Sequence, residues 1–356
     1  MRCEKLIKIT LLASLALAVS LILTPLLIKF ALKINATDKP NYRKAHSVPT
    51  PTLGGIAIFL SFLVGLLILQ PYSEFHGAIV TGAFLIIILG IFDDLYTLSA
   101  KLKFAVQIGV ALLIVFWGGL QVEFINLPFG GQIEFGFLSS IVTIFWIVGI
   151  TNAINLIDGL DGLAAGVSSI ALFTIAGMAV LMGDVYVTTM ALILFFSTVG
   201  FLKFNFYPAK IFMGDTGALF LGYMIAVLAL LGFKNITIVS FIIPIFILGV
   251  PISDTLIAMV RRKVNRQPMY SPDSSHLHHR LMKSGFTHRQ TVLFIYSLSA
   301  MFSLAAFLFS MTTLWGSIII LAVALLAIEV LIENLGMINN DYKPLTNFVK
   351  SLRQKS

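Results

Sequence analysis

The length and number of apolar runs constrain this chain more than any other feature. A bilayer core of ~30 Å is crossed by about 20 apolar residues of α-helix, and eleven stretches of the sequence approach that length. These stretches are 6–31, 53–70, 77–92, 104–120, 138–155, 162–182, 187–203, 212–232, 236–258, 291–310 and 313–333. The sequence therefore predicts an all-α integral membrane protein with about eleven transmembrane helices in a single domain, 1–356.

Composition excludes the soluble classes of protein. The chain is 58% apolar and 11% charged, whereas soluble domains contain about 25% charged residues. The single cysteine, Cys3, excludes a disulfide framework and a cysteine zinc site. In so apolar a chain we interpret the net charge of +8 as a record of membrane orientation, and we expect no nucleic-acid partner.

Basic residues lie almost entirely on one side of the predicted helices. The loops of that side are 32–52, 93–103, 156–161, 203–211 and 259–290, followed by the tail 334–356. Of the 24 Lys and Arg residues, only Arg2, Lys5, Lys8 and Lys234 fall on the other side. The positive-inside rule then predicts that the basic loops and the C-terminus are cytoplasmic, with the N-terminus outside.

The one sizeable outer loop is 121–137, in which two alternating runs flank Pro128-Phe129-Gly130-Gly131. This pattern predicts a small extracytoplasmic β-hairpin. We interpret the hairpin as a structural lid.

The aspartates gather on the predicted cytoplasmic side. They are Asp38, Asp93, Asp94, Asp158, Asp161, Asp215, Asp254 and Asp273. A transporter is expected to place ionisable groups near the bilayer midplane, on interrupted helices of repeated halves. The pattern instead favours an enzyme whose active site, formed by the five basic loops, opens to the cytoplasm. A membrane transporter is the remote alternative.

Two motifs indicate metal or phosphate chemistry. Adjacent Asp93 and Asp94 repel each other unless a cation or a proton relieves them, so they suit metal binding or general-base catalysis. The amides and carboxylates that recur every third residue from 152 to 161 form one polar ridge on a helix; they are Asn152, Asn155, Asp158 and Asp161. A ridge of this kind suits sugar, nucleotide or magnesium–phosphate contacts, and the alternative is a purely structural contact between helices.

Two further segments carry candidate ligands. In the first, Asp215 begins a predicted helix as either an N-cap or an oxygen ligand for Mg²⁺. Nearby Phe212 could stack on a base. The second segment contains His276, His278, His279 and Arg280, which suit a phosphate or pyrophosphate, with a transition metal as the alternative.

Two positions keep alternatives open. Lys44 and His46 in the first basic loop could bind an anionic substrate or lipid headgroups. Asp254, at the end of a predicted span, either shapes the loop that follows or pairs with Arg261 or Arg262.

Taken together, these segments resemble the polyprenyl-phosphate N-acetylhexosamine-1-phosphate transferases of glycosyltransferase family 4, over most of the chain. The resemblance implies a multi-pass enzyme of the bacterial cytoplasmic (inner) membrane. Such enzymes move a sugar-1-phosphate from a UDP-sugar to a lipid phosphate. The motif from Asp38 to His46 and the motif from His276 to Arg280 resemble the branch that makes undecaprenyl-pyrophosphoryl-GlcNAc from UDP-GlcNAc and undecaprenyl phosphate. Ser47-Val48-Pro49 and the interrupting Leu277 depart from the pattern of the branch that uses UDP-MurNAc-pentapeptide, which argues against that donor. UDP-GalNAc and UDP-MurNAc-pentapeptide are the alternative donors.

The resemblance also implies roles for individual residues. Asp215 would be the principal Mg²⁺ ligand, with Asn155 and Asp94 as helpers and Mn²⁺ as the alternative cation. Asp93 would be the base that deprotonates the lipid phosphate. The expected substrate contacts are Asn205, Phe212 and Asp161 at the uridine, supported by Asp158, and His276, His278, His279 and Arg280 near the sugar and pyrophosphate. The resemblance leaves open whether the enzyme works in the bilayer as a monomer or a homodimer.

Overall fold

The structure, a computed structural model, describes residues 3–38, 49–126, 132–233, 238–268, 275–338 and 342–347. The helices are, in chain order, α1 (Cys3–Lys33), α2 (Gly55–Leu69), α3 (His76–Tyr96), α4 (Ala100–Phe116), α5 (Leu138–Ile157), α6 (Leu163–Met182), α7 (Val185–Asn205), α8 (Gly214–Phe233), α9 (Ile238–Ile247), α10 (Gly249–Val264), α11 (Leu277–Lys283), α12 (His288–Met311) and α13 (Leu314–Leu335). Lys44, His46 and Asp273 lie outside the described residues.

The described helices confirm a helical, multi-pass membrane protein. Eight of them are long and apolar enough to cross a bilayer, namely α1, α3, α5, α6, α7, α8, α12 and α13. Helix α2 is apolar but has only 15 residues, and α4 has 17. The predicted count of eleven transmembrane helices is therefore not confirmed.

The predicted span 236–258 is divided into two helices. Helix α9 ends at Ile247, and α10 begins at Gly249 after Leu248, whose backbone leaves helical geometry with φ −100° and ψ 22°. Pro251 has no N–H group, so the carbonyl of Ile247 lacks the donor that a continuous helix would supply. The interruption makes α10 a separate helix, which carries the buried Asp254.

Short strands close two of the loops. The predicted hairpin is present as β3 (Phe124–Asn126) and β4 (Gln132–Glu134), which pair antiparallel with Ile125 opposite Ile133. A second antiparallel pair, β1 (Thr37–Asp38) and β2 (Thr50–Pro51), joins the two described ends of the first basic loop. This second pair was not predicted from the sequence, because two-residue strands leave no readable alternation.

Helix α8 lies at the centre of the bundle, packed against α2, α3, α5 and α6. Every residue from 216 to 230 is buried, as expected for a helix that is apolar on all sides. Glycines allow α2 and α3 to reach its first turn at backbone distance. A Cβ on Gly55 would lie 2.1 Å from the backbone nitrogen of Gly217, and one on Gly90 would lie 2.3 Å from Cα of Thr216.

Polar side chains connect the helix ends at one end of the bundle, which we call the polar end. It contains the last turns of α3, α5 and α7 and the first turns of α4, α6, α8 and α12, joined by side-chain hydrogen bonds. The loops predicted to be basic and cytoplasmic make these connections. The candidate site is built there.

Candidate active site

Asp94, in the last turn of α3, binds the beginning of α8. Its Oδ1 accepts the backbone N–H of Asp215 at 2.8 Å, and its Oδ2 accepts the N–H of Thr216 at 3.2 Å and the Thr216 hydroxyl at 2.6 Å. A carboxylate at this position satisfies N–H groups that have no partner within the helix and complements the helix dipole. Asp94 thus sets the position of Asp215.

Lys103 joins the other two carboxylates. Its Nζ lies 2.6 Å from Oδ2 of Asp93 and 2.9 Å from Oδ2 of Asp215. Asp93 also accepts the backbone N–H of Leu98 at 2.8 Å, which ties the turn between α3 and α4 to the site. Sequence reasoning missed Lys103, although the loop 93–103 was assigned to the site. The available signal was its place in the first turn of α4, where Lys101 and Lys103 precede an apolar run.

Asp158 follows the last turn of α5 and lies close enough to the other acids to interact with their charges. Burial raises its pKa, and the nearby charges of Asp215, Asp94 and Asp161 act in the same direction, so that the pKa is about 8. These carboxylates from three separate helix ends therefore share one electrostatic environment. Asn155 lies one turn earlier in α5.

These acids fit a magnesium ion that binds together with substrate. No group of three or more His, Cys, Asp or Glu side chains in the described part of the chain is arranged to hold a metal by itself. Mg²⁺ usually takes one or two carboxylates and completes its shell with water and substrate phosphate. The negative charges of Asp215, Asp94 and Asp161 repel that of Asp158, and a divalent cation would relieve this repulsion.

Asp161 connects two loops and α12. Its Oδ2 accepts the N–H of Ala209 at 2.9 Å, and its own N–H donates to Nε2 of His288 at 3.1 Å. The His288 ring stacks on Tyr207 with centroids 4.4 Å apart. Further along α12, the Tyr296 hydroxyl donates to the carbonyl of Gly162 at 2.5 Å. His288 and Tyr296 were not predicted, because nothing in the pattern of α12 distinguishes them from surface and core residues.

The two predicted amides make contacts between elements. Asn152 donates to Oε1 of Gln107 at 2.5 Å, which links α5 to α4. Asn205 is buried, and its Nδ2 donates to the carbonyl of Ile211 at 2.9 Å. Its Oδ1 has no hydrogen-bond partner within the described residues, so this acceptor is available to a ligand.

The segment before α8 is held by the end of the first basic loop. The N–H of Phe212 donates to the carbonyl of Pro51 at 2.8 Å, and its carbonyl accepts from Gly54 at 3.0 Å. The ring of Phe212 is half-buried. Phe212 therefore occupies a fixed position between β2 and Asp215.

The histidine motif begins α11 and lies against the same loops. His276 is bound by Asp254, with Nδ1 and Oδ2 2.8 Å apart, while Oδ1 of Asp254 accepts the N–H of Leu277 at 2.8 Å. Asp254 therefore shapes the loop that follows α10. Arg261, one of the two arginines predicted as alternative partners of Asp254, donates to the carbonyl of Met337 at 2.6 Å.

His278 packs against the turn after α5. A Cβ on Gly159 would lie 2.5 Å from Nε2 of His278, so only glycine accommodates the ring at this distance. Burial, the largest cause, and the neighbouring His279 together lower the pKa of His278 to about 3. His278 is therefore neutral at physiological pH. Arg280, two residues further along α11, is half-buried.

The structure brings together residues that lie between positions 93 and 280 of the sequence. Three acids, Asp93, Asp94 and Asp215, are joined directly or through Lys103, and the charge of Asp158 is coupled to two of them. The histidine motif reaches this group through Gly159. Lys44 and His46 fall outside the described residues, so their assignment stays a prediction.

Known proteins are similar to this chain in sequence. The model of the family described as glycosyl transferase family 4 matches residues 76–233, which run from α3 to α8. A probable undecaprenyl-phosphate N-acetylglucosaminyl 1-phosphate transferase of Bacillus subtilis (strain 168) is 48% identical over 356 residues, 99% of each chain.

More distant relatives carry related names. A decaprenyl-phosphate N-acetylglucosaminephosphotransferase of Mycobacterium leprae is 35% identical over 74% of each chain. An undecaprenyl-phosphate alpha-N-acetylglucosaminyl 1-phosphate transferase of Escherichia coli (strain K12) is 27% identical over 75% of this chain and 74% of its own. With a relative of 48% identity over almost its whole length, this membrane protein belongs to glycosyl transferase family 4.

Proposed function

We propose that the protein transfers GlcNAc-1-phosphate from UDP-GlcNAc to undecaprenyl phosphate. The products are undecaprenyl-pyrophosphoryl-GlcNAc and UMP, and the reaction is the first membrane step of a cell-envelope glycan pathway. The observation that carries the proposal is the Asp93–Lys103–Asp215 cluster at the ends of membrane helices, in a chain so similar to the named Bacillus relative.

The reaction joins two anions, so charge control is its main requirement. An oxygen of the lipid phosphate attacks the β-phosphorus of the UDP-sugar. The bond from that phosphorus to the bridging oxygen breaks, and UMP leaves with the electron pair. Positioning and electrostatic stabilisation dominate such transfers. Lys103 supplies a fixed positive charge within the acidic cluster and orients Asp93 and Asp215.

Asp93 is the proposed base. A phosphate monoester loses its second proton near pH 6, so only a minority of lipid phosphate needs deprotonation at neutral pH. Asp93 is buried and held by Leu98 and Lys103, which gives its carboxylate a single orientation toward an incoming phosphate. We propose direct attack, with a covalent intermediate on Asp215 as the alternative.

Mg²⁺ is the proposed cofactor, with Mn²⁺ as a substitute. When bound, it would neutralise charge on the pyrophosphate and the departing UMP. Asp215 would hold it, with Asn155 contributing from α5. Both oxygens of Asp94 already accept hydrogen bonds from the start of α8, so we assign Asp94 chiefly to orienting Asp215.

The remaining assignments concern the substrates and the membrane. Asn205, Phe212 and Asp161 are proposed to contact the uridine, and the motif from His276 to Arg280 the sugar and pyrophosphate. We propose that the protein lies in the inner membrane of a bacterium. Its polar end and its C-terminus face the cytoplasm, and its N-terminus lies outside. A homodimer is the alternative to a monomer.

The decisive experiment measures UMP release by purified protein in detergent with undecaprenyl phosphate. UMP should form with UDP-GlcNAc and require added Mg²⁺, and UDP-GalNAc and UDP-MurNAc-pentapeptide should serve as comparison donors. An absence of release with UDP-GlcNAc would refute the donor assignment. Near wild-type turnover by Asp215→Asn with Mg²⁺ present would refute the metal assignment. A labelled phosphoryl-enzyme trapped without acceptor lipid would favour the two-step route.

A further inference from the structure

Asp254 is a buried acid to which the proposed reaction gives no role. It lies in α10, the helix that begins after the break at Leu248, and its side chain is 3% exposed. A buried carboxylate requires hydrogen-bond donors, because desolvation of an unpaired charge is costly. The carboxylate of Asp254 has two such partners, the ring of His276, 22 residues later in the chain, and the N–H of Leu277.

The geometry of this contact determines the state of the His276 ring. Oδ2 of Asp254 lies 2.8 Å from Nδ1 of His276. An ionised carboxylate can only accept hydrogen bonds, so Nδ1 carries the proton that occupies this contact. The other oxygen of Asp254 is engaged by the N–H of Leu277, which prevents rotation of the carboxylate. His276 is thereby left with Nε2 as the nitrogen that can serve another group.

A series of ring contacts connects this pair to the acidic cluster. The rings of His276 and His278 are parallel within 3°, with centroids 6.1 Å apart. His278 in turn packs on Gly159, next to Asp158. Displacing His276 would therefore affect both its own nitrogen and the ring that borders the acids.

We propose that Asp254 is a positioning residue, which holds His276 with its Nδ1 proton on the buried carboxylate and presents Nε2 to the substrate. The inference rests on the proposed function, because it assumes that His276 acts on the sugar or pyrophosphate. The arrangement corresponds to the carboxylate–histidine pairs that orient imidazoles in other enzymes and metal sites.

Asp254→Asn tests this role with little disturbance of the fold. The amide keeps one acceptor for the N–H of Leu277 but turns a donor toward Nδ1, which forces the proton of His276 to Nε2. We expect kcat for UMP release to fall about 10- to 100-fold, while KM for UDP-GlcNAc changes little. Thr255→Val is the matched control, since this neighbouring hydroxyl has no hydrogen-bond partner within the described residues.

A double-mutant cycle separates positioning from simple stabilisation. If Asp254 acts through His276, the Asp254→Asn/His276→Ala protein should be no slower than His276→Ala alone. Additive losses in the cycle, or a wild-type kcat for Asp254→Asn, would overturn the inference.

A spectroscopic readout is independent of turnover. In protein labelled with ¹⁵N-histidine, the His276 signals, identified by their loss in His276→Ala, should indicate a proton on Nδ1 in the wild type and on Nε2 in Asp254→Asn. An unchanged tautomer would contradict the inference. If the wild-type protein released no UMP, the proposed function would fail while this spectrum still decided the role of Asp254.

Discussion

Oδ1 of Asp94 lies 2.8 Å from the backbone nitrogen of Asp215, so one acid of the proposed site positions another. The contact joins the end of α3 to the beginning of α8, and Oδ2 of the same carboxylate receives the hydroxyl and N–H of Thr216. The second aspartate of the Asp93-Asp94 pair is thus part of a helix terminus, whereas the first faces Lys103.

Replacing Asp94 should therefore reduce stability as well as activity. Asp94→Ala removes three hydrogen bonds from the start of α8, and we expect the free energy of unfolding to fall by about 2 kcal/mol. Asp94→Asn retains one acceptor oxygen and should lose less. Thermal unfolding in detergent measures the difference, with Asp93→Asn as the comparison, since within the described residues the carboxylate of Asp93 accepts hydrogen bonds from Leu98 and Lys103 and not from the backbone of α8. Equal Tm values for Asp94→Ala and wild type would contradict this role.

Lys103→Gln should abolish most of the activity. The substitution leaves the carboxylates of Asp93 and Asp215 without their shared cation, and we expect kcat for UMP release to fall about 100-fold or more. Lys101→Gln makes the same charge change at an exposed position two residues earlier in α4 and should remain close to wild type. Equal losses in the two variants would show that only overall charge matters.

His288→Phe should weaken donor binding more than turnover. Phenylalanine keeps a ring to stack on Tyr207 but removes the acceptor for the N–H of Asp161. A hydrogen bond of this kind contributes about 1 kcal/mol, so KM for UDP-GlcNAc should rise about fivefold. Arg289→Gln, at the exposed neighbouring position, is the control. The prediction fails if KM is unchanged and kcat alone decreases.

Gly159→Ala should displace the His278 ring. The added Cβ would lie 2.5 Å from Nε2 of His278, and relief of such a clash in a packed site costs about 1–3 kcal/mol. We expect kcat to decrease about tenfold with a modest loss of Tm. Gly149→Ala provides the control, because a Cβ there meets nothing within 4 Å. Identical behaviour of the two variants would exclude a functional contact between His278 and the turn.

The raised pKa of Asp158 predicts that the effect of magnesium on Tm depends on pH. This pKa is raised to about 8 by burial and by the surrounding acids, against about 4 in the unfolded chain. The folded state therefore binds the extra proton between these values, and stability falls as pH rises through this window.

In EDTA, Tm should therefore fall as pH rises from about 5 to about 8, and added Mg²⁺ should raise Tm most at the alkaline end of this range. Asp158→Asn should flatten the pH profile. Asp184→Asn, which makes the same charge change at the N-cap of α7, should leave the profile intact. A magnesium effect that is independent of pH would contradict the assignment.

Much of the fold was readable from the sequence because membrane helices must satisfy their own backbone groups and present apolar side chains. Local composition was enough to predict the helical runs, the hairpin at 121–137 and the concentration of acids in alternate loops. The interruption at Leu248 was missed, because Pro251 and Gly249 sit in a run whose hydropathy does not change. The short β1–β2 pair was missed because pairing across a loop leaves no local signal.

Hydropathy and motifs that are each contiguous in the chain were enough to identify a membrane protein of glycosyl transferase family 4 and the residue types of its polar end. How these motifs divide their tasks became visible in three dimensions: Asp94 supports α8, Lys103 joins Asp93 to Asp215, and Asp254 holds His276. These pairings depend on close helix approaches at Gly55 and Gly90 and on a broken helix, and distance along the chain contains no information about such contacts.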